Sequence, residues 1–231
     1  MSSTLKLIAS TGLNAVLEEL LPLYQAQKGI SIVSSYDSSN LILRRLDSGE
    51  LVDIVLSTRN ALNDLAQRGI VETGSLLNLA KSGIGIIVKT GTQHPDITSE
   101  TTFLEAIQNA RSIAHTSAGA SGIYFTDLVQ RLGLQEIINS KSITQPGGRI
   151  AGLVASGKAE MGIQLESELV GMPGVEYVGP LPASLQMEVV FGAGIFSQSL
   201  KGNQSRELIQ FLSSPEHVSV YHKYGMHPLS E

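Results

Sequence analysis

Residues 34–57 read SSYDSSNLILRRLDSGELVDIVLS. A cluster of small hydroxyl residues passes into a short helical pattern and ends on an apolar strand. Ser38, Ser39 and Asn40 stand where the helix begins, so their side chains and the first free backbone amides can point at one spot. Such a spot favours an anion, through unpaired N–H groups and the positive end of the helix dipole.

The same alternation extends in both directions. Upstream, LKLIAS (residues 5–10) reads as a strand, and residues 13–27 carry Val16, Leu17, Leu20, Leu21 and Tyr24 at helical spacing. Pro22 is expected to kink that helix or break it in two. SIVSSY (residues 31–36) is a second strand, and a helix over residues 40–48 leads to the strand VDIVLS. A helix over about residues 60–67 follows and stops at Gly69. Downstream, SGIGIIVK (residues 82–89) reads as a buried strand before the turn-rich TGTQHPDITS. A helix over residues 102–109, the strand SIAHT, a helix over residues 123–132 and a short strand at residues 142–145 come next. A helix over residues 149–156 and the strand AEMGIQL then lead through VEYVGPLP to the apolar segment MEVVFGAGIF. Helices over residues 203–212 and 216–223 close the pattern.

This βα alternation predicts an α/β fold with largely parallel sheets. The apolar segments near residues 82–88 and 186–196 read as crossings between two lobes. The first lobe is expected to hold residues 1–82 plus 191–231 and the second residues 83–190, with a ligand cleft between them.

Composition narrows the function. The chain has 231 residues, 42% of them hydrophobic, with no apolar run of transmembrane length, so a soluble globular protein is expected. A net charge of −5 argues against nucleic acid or an anionic membrane surface as partner. It leaves room for a small anion held by amides and hydroxyls. The absence of cysteine excludes thiolate metal sites, disulfides and cysteine nucleophiles. No signal peptide is recognisable, because residues 1–4 lead directly into a strand-like run. The protein is therefore expected to be periplasmic if a leader was removed and cytoplasmic otherwise.

Four strand-to-helix turns share one design: Thr11-Gly12, Ser38-Ser39-Asn40, Ser121-Gly122 and Gly147-Gly148-Arg149. Each singly reads as an ordinary N-cap. Together, if they face one another, they make an anion cleft. Glycine lets a ligand approach the backbone, and hydroxyls donate without carrying charge.

STGLNAVLEEL, residues 34–57, ASGIYFTDLVQRLG, GRIAGLVASGKAEMGI and YHKYGM, taken in that order, resemble the periplasmic molybdate-binding proteins of ABC transporters. The similarity covers essentially the whole chain. It implies a two-lobed type II solute-binding fold with mixed sheets that closes on an oxyanion. It further implies that Thr11, Ser38 or Ser39, Ser121 and the Gly147-Gly148 turn contact the ligand. The chain departs from that pattern at three places. Thr11 stands for a usual serine, Leu165 stands where the family places a tyrosine hydroxyl, and Arg59 and Arg149 flank the expected cleft. Guanidinium forks match carboxylates, so an arginine in the cleft would favour a di- or tricarboxylate. Both arginines read equally as solvated groups, paired with Asp53 or Glu160.

The leading expectation is a monomeric solute-binding protein that captures a small anion by lobe closure and serves an ABC transporter membrane complex, without metal or cofactor. Its ligand is a molybdate-like oxyanion or an organic carboxylate. The alternative is a cofactor-independent isomerase acting on a tricarboxylate such as aconitate, as some relatives of the molybdate binders do. There His115, ending a strand shortly before Ser121, would be the base. A satisfied structural histidine is the plainer reading of that residue. Asp53 is expected to brace the cleft turns, Asp37 to cap or orient the serine loop, and Tyr124 to face the cleft or pack against its lobe. The GLVASGK run is no phosphate loop, because Ala159 replaces the required Ser or Thr and the run ends a helix.

Overall fold

The computed structural model describes residues 4–229. Residues 1–3, read above as leading directly into the first strand, lie outside them. The described residues divide into two compact units, residues 4–82 with 189–229, and Gly83–Glu188.

The first unit starts with β1 (Thr4–Ser10), α1 (Asn14–Lys28), β2 (Ser31–Asp37), α2 (Ser39–Asp47), β3 (Ile54–Thr58), α3 (Arg59–Gln67) and β4 (Leu77–Ser82). The second holds β5 (Ile84–Lys89), α4 (Glu100–Asn109), β6 (Ile113–Thr116), α5 (Ala120–Arg131), α6 (Gln135–Asn139), β7 (Ser142–Gln145), α7 (Ala151–Ala155), β8 (Met161–Leu165), α8 (Glu166–Leu169) and β9 (Val175–Pro180). The chain then returns to the first unit as β10 (Val189–Ile195), α9 (Gly202–Leu212), α10 (Val218–Lys223) and β11 (His227–Pro228). The return crossing falls two residues before the expected boundary.

Each unit is built on one mixed sheet. In the first the order is β11-β4-β10-β3-β1-β2, with β1 parallel to β2 and β3, and β10 antiparallel to β3 and β4. In the second it is β7-β6-β8-β5-β9, with β6 parallel to β7 and β8, and β5 antiparallel to β8 and β9. The strands are apolar because helices cover them: Ile54, Val55 and Leu56 of β3 are fully buried, as are Ile84, Ile86 and Ile87 of β5. Each such side chain contributes about 1.5–3 kcal/mol of burial.

Three local expectations change. SGIGIIVK is not one strand: Gly83 separates β4 from β5, and each belongs to a different sheet. Pro22 does not break α1 in two; the helix runs from Asn14 to Lys28. Pro22 and Glu18 are both exposed, so the carbonyl freed by the missing N–H meets water. No helix opens at Gly147; α7 starts at Ala151 and has only five residues.

Candidate functional site

Parallel strands that each run into a helix bring their turns to one sheet edge. In the first unit the register pairs Ser10 with Asp37, so the turns after β1 and β2 are neighbours. The Thr11 turn is a short 3-10 segment ahead of α1. Gly12 is fixed there by packing, since a Cβ would lie 2.6 Å from the Phe191 ring. Ser38 is the N-cap of α2 and accepts from the Leu41 amide at 3.4 Å, while its own amide donates to Asp37 Oδ1 at 3.0 Å. Asp37 also lies 3.5 Å from Arg45, so it orients the serine loop. Ser39 Oγ accepts from the fully buried Ser57 hydroxyl at 3.0 Å. That leaves the Ser39 proton to donate elsewhere.

Arg59 does not pair with Asp53. Its Nη1 donates to Asn78 Oδ1 at 3.1 Å, on β4, across β3 from the serines of β2 and α2. Asp53 instead sits at the opposite ends of the parallel strands from the Thr11 and Ser38 turns. It accepts from the Lys6 amide (2.8 Å), the Ser199 hydroxyl (2.7 Å) and Lys201 Nζ (3.0 Å). Burial pushes its carboxyl up, but these donors outweigh burial and hold it below the ordinary range.

The second unit repeats the arrangement. The Ser117 amide donates to Gln145 O at 2.8 Å and the Ala118 amide to Pro146 O at 3.2 Å, which ties the turn after β6 to the turn after β7. α5 begins at Ala120 behind Gly119, without a side-chain cap. Its first amides are therefore left for water or a ligand. Ser121 and Gly122 lie buried in that first turn. A Cβ on Gly122 would lie 1.7 Å from the Thr116 carbonyl oxygen, so glycine is what lets α5 start against the end of β6. Thr116 is 2% exposed and its Oγ1 has no partner among the described residues.

Two glutamines lock the Gly147-Gly148-Arg149 turn. Gln145 Nε2 donates to the carbonyls of Gly147 (2.8 Å) and Arg149 (3.3 Å). Gln164, 1% exposed on β8, donates to Gly148 O at 2.8 Å and accepts from the Ile150 amide at 3.1 Å. Gly148 adopts φ 80°, a left-handed turn conformation that glycine tolerates. The turn therefore presents the Arg149 side chain rather than a helix start. Arg149 is half-buried, and its Nη2 is buried with no partner among the described residues. Glu160, its expected partner, accepts instead from Arg111.

His115 is 6% exposed, and both its nitrogens are engaged. Nδ1 donates to the Thr116 carbonyl at 3.0 Å, and Nε2 lies 3.1 Å from Ser142 Oγ. Its ring meets Phe125 edge-on at 5.2 Å, and burial lowers its pKa. Tyr124 packs within its unit, its hydroxyl donating to Leu185 O at 2.9 Å beneath the Arg131 guanidinium. Leu165 is buried at the end of β8. The nearby Tyr177 phenol is bonded to Glu166 Oε2 at 2.5 Å, and burial reinforced by that carboxylate raises its pKa.

Sequence reading missed Ser57, Gln145, Gln164, Asn78 and Asn14. Asn14 Oδ1, in the first turn of α1, is buried without a partner among the described residues. A half-turn of its amide would present NH2 there instead. The signal for Gln164 was visible, as the one polar residue in MGIQL.

A family model, bacterial extracellular solute-binding protein, matches residues 5–227. The chain belongs to that family. This solute-binding protein is 29% identical to the aconitate isomerase of Pseudomonas sp. over 233 residues, covering 98% of the chain and 88% of that relative. It is 21% identical to the molybdate-binding protein of Escherichia coli K12, covering 94% of the chain and 86% of that relative. Its fold matches the periplasmic molybdate-binding protein of Azotobacter vinelandii with a TM-score of 0.82 at 19% identity, covering 98% of the chain and all of that structure. Among the described residues no group of three or more His, Cys, Asp or Glu is placed to hold a metal ion. No helix among them is long and apolar enough to cross a membrane. Each unit of the solute-binding protein thus carries hydroxyls and helix-start amides at one sheet edge, and the second adds a guanidinium nitrogen without a partner among the described residues.

Proposed function

We propose that this solute-binding protein captures a small anion bearing carboxylates, the two units acting as lobes whose donor sets serve one ligand. It then delivers that ligand to an ABC transporter membrane complex. The first unit would contribute Thr11, Ser38 and Ser39, and the second Ser121, the first amides of α5 and Arg149. The observation that carries the choice of ligand is the buried Arg149 Nη2, which has no partner among the described residues. A cationic nitrogen withdrawn from water costs several kcal/mol unless something pairs with it, and a carboxylate is the matching fork. A bare oxyanion would need only the neutral donors. The 29% identity to an aconitate isomerase supports the same ligand class.

A thermal-shift panel tests this, setting cis- and trans-aconitate and citrate against molybdate, tungstate and sulfate. A ligand at a hundred times its dissociation constant stabilises by about 2.7 kcal/mol, or about 5–11 °C for a chain of this size. Carboxylates should shift the wild type, and Arg149→Ala should remove that shift. A response to molybdate and tungstate alone, unchanged by Arg149→Ala, would refute the carboxylate reading.

The relative named for isomerisation favours a second reading, a cofactor-independent isomerase. A base would remove a proton beside a carboxylate and return it at another carbon. With the His115 nitrogens bonded to Thr116 and Ser142, that base would be another residue. Interconversion of cis- and trans-aconitate in the same samples decides between capture and turnover.

A further inference from the structure

The second unit has another concavity, at the sheet edge opposite residues 116–121. β6 and β8 enter the sheet there, from Ser112 and Glu160, and antiparallel β5 ends there at Lys89. A cavity of about 770 Å³ lies at this edge, under residues 92–96 and the last turn of α4. Its volume is in the range of small-molecule sites.

The floor is apolar: Val88, Ala110, Ala159 and Met161 are all buried. The rim carries both signs of charge, and each acidic side chain already has a donor. Asp96 Oδ1 is taken by the Thr98 amide (2.9 Å) and hydroxyl (2.7 Å). Glu160 Oε2 is taken by the Arg111 amide (2.7 Å) and Nε (3.1 Å). Glu176, just behind the rim, accepts from the Gly91 amide (3.0 Å) and is bonded to His94 Nε2 (2.9 Å). Of Lys89 and Arg111, only the arginine has an acidic partner among the described residues. Lys89 Nζ has no partner among the described residues and lies over Gly157, 3.8 Å from where a Cβ would stand. Arg111 uses only Nε in its ion pair, and its side chain is 86% exposed, leaving both Nη groups open.

We propose that this cavity is a second ligand site, taking a small organic anion whose apolar body lies on Val88, Ala159 and Met161 and whose carboxylate meets Lys89 and Arg111. It is independent of the anion site proposed above. The two differ in the character of the ligand, since this one offers an apolar floor and that one hydroxyls and amides.

The test uses two probes of matched shape, 1-naphthylacetate and its neutral amide 1-naphthylacetamide, titrated into the isotopically labelled protein and followed by NMR. Naphthylacetate should perturb Val88, Ala106, Ala159 and Met161 and bind about fivefold tighter than the amide, the worth of one partly solvated ion pair. Lys89→Met should reduce that preference, Lys89→Met combined with Arg111→Met should abolish it, and Lys89→Arg should keep it. In 1 M salt the preference should shrink, because the Debye length falls to about 3 Å. Equal binding of the two probes, no binding of either, a preference undiminished by Lys89→Met or surviving the double substitution, or perturbations centred on residues 116–121 and 147–149 would each overturn the proposal.

Discussion

Gly122→Ala sets two physical effects against each other. Gly122 lies within the first turn of α5, and alanine there should gain about 1 kcal/mol from helix propensity. The new Cβ would stand 1.7 Å from the Thr116 carbonyl oxygen, where ordinary contact begins at 3.4 Å. The two backbones must separate by about as much again, and neither can swing aside as a side chain would. Overpacking costs about 1–3 kcal/mol, and a backbone-to-backbone clash belongs at the top of that range. The net expectation is a loss of about 2 kcal/mol, or about 4–8 °C in Tm. Gly152→Ala is the control: Gly152 lies in α7, exposed, with nothing within 4 Å of a new Cβ. It should be neutral or stabilise by up to about 1 kcal/mol. Urea denaturation followed by far-UV circular dichroism gives both values. If Gly122→Ala matched or exceeded Gly152→Ala in stability, the close approach of α5 to β6 would be wrong.

Two further substitutions probe the charged interior. Asp53→Asn should cost about 2 kcal/mol at pH 7, where the carboxylate holds three donors. Because folding lowers the Asp53 pKa, its contribution is complete above the ordinary carboxylate range near pH 4 and is lost as pH falls through the folded value. The gap between wild type and variant should therefore narrow in denaturation curves taken progressively below about pH 4. His115 is also held below its ordinary pKa, in this case by burial, so the fold favours its neutral form. That stability is present above about pH 6.5 and declines as pH falls toward the folded value. His115→Gln should flatten this part of the pH–stability profile while leaving ligand-induced thermal shifts in place. Loss of ligand response with an unchanged pH profile would return His115 to the ligand site.

The α/β class, the serine-rich start of α2 and Ser121 at the start of α5 were legible because they rest on local patterns, whereas the helix start read at Gly147 was not there. Alternating apolar runs and small polar residues at strand-to-helix turns act within a few residues of chain. Partner choice was not legible. Arg59 reaches Asn78 because β4 lies two strands from β3 in the sheet, and Asp53 receives Lys201 from a segment 148 residues away. Glu160 goes to Arg111 because β6 and β8 are parallel neighbours entering the sheet at the same edge. That choice leaves Arg149 Nη2 without the carboxylate the sequence offered it. The sequence by itself determined most of the segments that become strands and helices, since propensity and periodicity act locally, but not the split at Gly83. The tertiary structure alone decided which cations are satisfied and which are left open, because ion pairs depend on sheet order and register, which no local pattern encodes.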